Sequence, residues 1–116
     1  MKTEEVITGW LSPTGEFIKC SPYEHVFVAE KIASELGVTE SYRNDQDIME
    51  HGWININILT FFEHGIMFNY IKEPITNGQK VFLLKFYDEH KDFICKSGFK
   101  ALYYMGIIDE EELKER

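Results

Sequence analysis

Apolar positions alternate with polar ones in some stretches of the chain and recur every three to four residues in others. This change of period divides the sequence into elements. Val6 to Leu11 and Glu16 to Cys20 read as two short strands. Between them, Ser12-Pro13-Thr14-Gly15 places Ser first, Pro second and Gly fourth in a type I turn. Ser21-Pro22-Tyr23-Glu24 then supplies an N-cap, a first-turn proline and a capping-box acid. The helix they open is predicted to run to Leu36 and stop at Gly37, with Val26, Ala29, Ile32, Ala33 and Leu36 as its inward stripe.

Asn44 can cap a short helix through Ile48 and Met49, ending near His51 with Gly52 beyond it. From Trp53 to Leu59 the chain alternates. Ile54, Ile56 and Ile58 point one way, and Trp53, Asn55 and Asn57 the other, as in a half-exposed strand. Ile66 to Lys72 is its expected antiparallel partner, joined across Phe62-Glu63-His64-Gly65. Thr76-Asn77-Gly78-Gln79 forms a second capping-box pattern before the apolar run Val81 to Phe86. A further helix is expected from about Asp92 to Met105, with Ser97-Gly98 as its weak point and Gly106 as its stop. Asp109 with Glu112 caps a last exposed turn over residues 109–116. The fold class that follows is α+β: a small antiparallel sheet from two β-hairpins, packed against three to five helices. At 116 residues the chain fits one compact domain.

Composition narrows the function classes. Twenty acids against twelve bases give a net charge of −8, which opposes direct nucleic-acid binding and favours a basic partner. Between Asn44 and Ile75 the acids Asp45, Asp47, Glu50, Glu63 and Glu73 face a single base, Lys72. Two distant cysteines, Cys20 and Cys95, make no disulfide framework and read as free thiols. The start Met1-Lys2-Thr3-Glu4-Glu5 lacks the basic-then-apolar run of a signal peptide, so the expected compartment is the cytoplasm, with no membrane association.

The pattern Gly9-Trp10-Leu11-Ser12-Pro13-Thr14-Gly15-Glu16-Phe17, followed by Cys20, Glu24-His25, Ala29 and His51-Gly52-Trp53-Ile54, resembles small proteins of Gram-positive bacteria, their phages and mobile elements. The likeness covers the first half of the chain and brings no activity with it. It implies a small acidic factor that acts by binding host proteins.

No Gly-rich phosphate loop, HExxH, GxSxG or calcium loop is present, so no cofactor is expected and the protein is expected not to be an enzyme. One constellation offers an alternative: Cys20, His25 and His51 could supply a thiolate and two imidazoles to a zinc ion, or a nucleophile and its base. Packing explains the same residues as a buried thiol at a strand end and two partly exposed histidines, and the capping box alone accounts for Glu24. The favoured reading is a non-catalytic protein-binding module, a phage or mobile-element factor that inhibits a host nucleic-acid-processing or defence protein. Asp45, Asp47 and Glu50 would steer the basic partner and Trp53 would anchor it.

Overall fold

The computed structural model describes residues 7–39, 43–71 and 74–115. Among these residues it is an α+β fold with four antiparallel strands and five α-helices. The strands are β1 (Gly9–Leu11), β2 (Phe17–Lys19), β3 (Ile54–Leu59) and β4 (Gly65–Asn69). The helices are α1 (His25–Leu36), α2 (Asn44–Glu50), α3 (Asn77–His90), α4 (Lys96–Tyr104) and α5 (Glu110–Lys114). Val6 and Lys72, expected at strand ends, lie outside the described residues.

The two hairpins join through β1 and β3, which gives the order β2-β1-β3-β4. Side-chain alternation sorts the sheet into two faces. Leu11, Ile54, Ile56, Ile66 and Phe68 face α3 and α4 and form the larger core with Leu83, Phe86, Phe99 and Leu102. On the opposite face, Trp10 packs with Cys20, Ala29, Ile32, Ala33 and Ile48, the buried side of α1 and α2.

Three local signals formed as their chemistry requires, whereas Asn44, expected as a cap, is the first residue of α2 and Arg43 precedes it at the cap position. Glu24 accepts hydrogen bonds from the backbone and hydroxyl of Ser21 at 3.0 Å each, and opens a 3-10 turn, Pro22–Glu24, that leads into α1. The Thr76 hydroxyl accepts from the Gln79 N–H while the Gln79 carboxamide accepts from the Thr76 N–H, closing the second capping box. The Gln79 amide also donates to the Gly52 carbonyl at 2.6 Å, which ties the start of α3 to the start of β3. Asp109 accepts from the Glu112 N–H and caps α5.

Three expectations change. The stripe of α1 buries Ala29, Ile32 and Ala33 but leaves Val26 and Leu36 exposed, because the helix meets the sheet and α2 only along its middle. The helix expected from Asp92 breaks at Ile94 and Cys95, not at Ser97-Gly98. There Ile94 is extended and forms a parallel bridge to Ile66, while the Cys95 N–H donates to the Ile66 carbonyl, so the backbone bonds of this stretch go to the sheet edge. Finally, Asn55 is buried on the face expected to be open.

Candidate functional site

Cross-strand register builds the floor of the site. Trp10 lies opposite Asn55 and Asn55 opposite Asn69, so these three side chains share a row on one face. Asn57, two residues beyond Asn55, shares that face. Trp10 and Asn55 are buried beneath the helices, whereas Asn57 and Asn69 are only half-buried. A cavity of about 500 Å³ remains, within the range of ligand sites. Its floor is Trp10, Asn55, Asn57 and Asn69, and its walls include His25, Val26, Met49, Tyr70 and Ile71, with Arg43 and Asp45 beside them.

A chain of hydrogen bonds crosses this floor. Asn69 Nδ2 donates to Asn55 Oδ1 at 3.2 Å, and Asn55 Nδ2 lies 2.7 Å from His25 Nδ1. With Asn55 donating, Nδ1 accepts and the neutral imidazole carries its proton on Nε2. That Nε2 is buried and makes no hydrogen bond among the described residues. Burial holds the His25 pKa below the ordinary imidazole value; the Cys20 carbonyl and the Glu24 carboxylate, which favour the cation, offset part of the effect. The His25 carbonyl in turn accepts from the Trp10 indole at 3.0 Å, so both ends of the residue are fixed to the sheet.

The sequence-predicted residues are dispersed. Asp45 lines the cavity and pairs with Arg43 at 3.1 Å. Glu50 is exposed and accepts from Gln46. Asp47 is only 3% exposed, so its carboxylate is withdrawn from any solvated acidic face. Trp53 is half-buried and packs against the Trp10 cluster, presenting part of its indole. Cys20 packs in the Trp10 cluster and the His25 ring lies 6.0 Å from that of Trp10, whereas His51 follows α2 with Nδ1 on the Asp47 carbonyl at 2.9 Å. Among the described residues no three His, Cys, Asp or Glu side chains are placed to share a metal ion. Burial foremost, with the Glu24 charge adding to it, pushes the Cys20 thiol up to about 11, which leaves it protonated and a poor nucleophile near neutral pH. Ser21 hydrogen bonds hold Glu24 below the usual carboxylate range, as a cap requires and a general acid does not.

Sequence reasoning passed over Asn55, Asn57 and Asn69. One sign was there: asparagine is disfavoured in strands, yet two of them alternate with isoleucine in Ile54–Leu59. Several apolar side chains stand outside both cores. Tyr23 (91% exposed), in the 3-10 turn, and Val26 and Phe27, in the first turn of α1, are three and four residues apart in sequence. Phe61 and Phe62, edge to face at 4.4 Å, project from the β3–β4 turn.

No family model, curated protein or solved structure matches the chain. No described helix is long and apolar enough to cross a membrane.

Proposed function

We propose that the protein acts by non-catalytic binding of a basic protein partner, as a phage or mobile-element factor that inhibits a host nucleic-acid-processing or defence protein. The observation that carries this reading is the exposed apolar group of Tyr23, Val26 and Phe27, of which Val26 lines the cavity that Asp45 also lines. Large apolar side chains grouped near the start of a helix, beside hydrogen-bonding groups, suit the anchor-and-rim arrangement of a protein contact. The net charge of −8 and the exposed carboxylate of Glu50 favour approach by a cationic surface. Trp53 contributes the exposed part of its indole. Asp47 takes no part in the contact, because its carboxylate is buried. The identity of the target class rests on the resemblance of the first half of the chain and on the acidic balance, which suits a protein that itself binds nucleic acid.

Affinity capture from a Gram-positive host lysate tests the reading. The wild-type chain should retain a basic protein specifically. Asp45→Lys with Glu50→Lys should weaken or abolish capture and flatten its dependence on salt, and Phe27→Ser or Trp53→Ala should shorten retention. Absence of any specifically retained protein, or capture indifferent to all four substitutions in folded protein, overturns it.

A further inference from the structure

Among the described residues, the floor of the cavity leaves one amide donor and one amide acceptor without protein partners. Asn57 Oδ1 accepts the Ile58 N–H at 2.7 Å, so its carbonyl is engaged while its NH₂ group makes no hydrogen bond among the described residues. Asn69 is the converse: its NH₂ is engaged on Asn55, and its Oδ1 makes none among the described residues. Both line the cavity, on adjacent strands and on one face, with Asn57 diagonal to Asn69 across the Asn55–Asn69 pair. Diagonal neighbours of this kind have side-chain origins roughly 7 Å apart, within mutual reach of two amides.

We propose that this cavity binds an extended segment of a partner protein by its backbone, with Asn57 donating to the C=O and Asn69 accepting from the N–H of one residue. In an extended chain the N–H and C=O of a single residue point to the same side, which is the pairing that the two asparagines leave open. A neutral floor suits a neutral group: His25 is held uncharged there, and the Arg43 and Asp45 charges at the edge are engaged with each other. Val26, Met49 and Ile71 give apolar walls for the flanking side chains of the segment. The net charge of −8 favours basic residues outside the contact. This assignment rests on the protein-binding reading above and specifies which part of the partner is recognised.

The test uses linear dodecapeptides selected by display against the full chain. The tightest of them is then synthesised with its normal backbone and as a series of single ester replacements, each removing one backbone N–H. Affinity should fall about tenfold at one ester position, and by a similar factor for Asn69→Ala and for Asn57→Asp, which removes the donor but keeps the bond to Ile58. Thermal unfolding of both variants verifies that they fold. Peptides whose affinity is unchanged within about twofold by every ester and by both substitutions overturn the assignment, as does failure to select any peptide. Sensitivity to a single Gln or Asn side chain in the peptide, with indifference to every ester, overturns it in favour of side-chain amide recognition. Lysate capture that persists in Asn57→Asp and Asn69→Ala but is lost on charge reversal at Asp45 and Glu50 would remove the backbone contact and leave partner binding standing.

Discussion

Asn55 and His25, thirty residues apart in the chain, meet at 2.7 Å between the sheet and α1. Both residues are buried, so the bond between them replaces water on each side. Asn55→Ala should destabilise the fold by about 1–3 kcal/mol, because it leaves His25 Nδ1 and Asn69 Nδ2 without their partner. Urea unfolding followed by tryptophan fluorescence measures this. A loss below about 0.5 kcal/mol would show that solvent takes over the bond.

Stability should depend on pH through His25. Its folded pKa is lowered, chiefly by burial, while the unfolded ring titrates near 6.5. The unfolded chain therefore binds a proton that the folded chain refuses. The contribution of this group is complete above about pH 6.5 and is lost as pH falls from there through the folded value. Wild-type protein should be less stable at pH 5.5 than at pH 7.5, and His25→Gln should show a smaller difference. Glu24 and Glu63, whose carboxyls are held below 4.5 by hydrogen bonds to Ser21 and Ser97, lose their contributions only in more acid solution. Equal pH slopes in the two proteins would remove His25 as the cause.

Cys20 should resist alkylation. With its thiol pushed up to about 11, roughly 0.1% is thiolate at pH 8, against about a quarter for an ordinary cysteine. In a Cys95→Ser background, iodoacetamide should modify the native protein more than about a hundredfold more slowly than the urea-unfolded chain. Comparable rates would place Cys20 in an activated environment and revive a catalytic reading.

Two glycines test the packing through the sign of their effect. Replacing a helical glycine by alanine ordinarily stabilises by up to about 1 kcal/mol. At Gly98 an added Cβ would lie 2.3 Å from the Ile66 carbonyl oxygen, and at Gly78 2.4 Å from that of Thr14. Gly98→Ala and Gly78→Ala should therefore destabilise, each by about 1–3 kcal/mol. Gly106, with φ of 80° and nothing within 4 Å of the added Cβ, should lose only about 1–2 kcal/mol through left-handed strain. Thermal melts of the three variants decide it, and a raised midpoint for Gly98→Ala would mean that α4 does not sit against β4 as described.

The features legible in the sequence are those whose partners are close in the chain. Ser21 with Glu24, Thr76 with Gln79 and Asp109 with Glu112 are three residues apart, and a helical start brings them together whatever the rest of the molecule does. Gly37 at φ 71° and the hairpin turns are equally local. Alternation in Ile54–Leu59 likewise fixed two faces, and with them the α+β class. It could not say which face a helix would cover, because period 2 is the same for an open face and a buried one. That choice came from the pairing of β1 with β3, which sets Trp10 opposite Asn55 and draws α1 over both. In the folded chain Asp47 and His25 are buried, and Asn57 and Asn69 border a cavity. Such contacts span tens of residues and depend on strand order, so residue types and spacing alone determined the elements, while only the tertiary structure decided which side chains share a site.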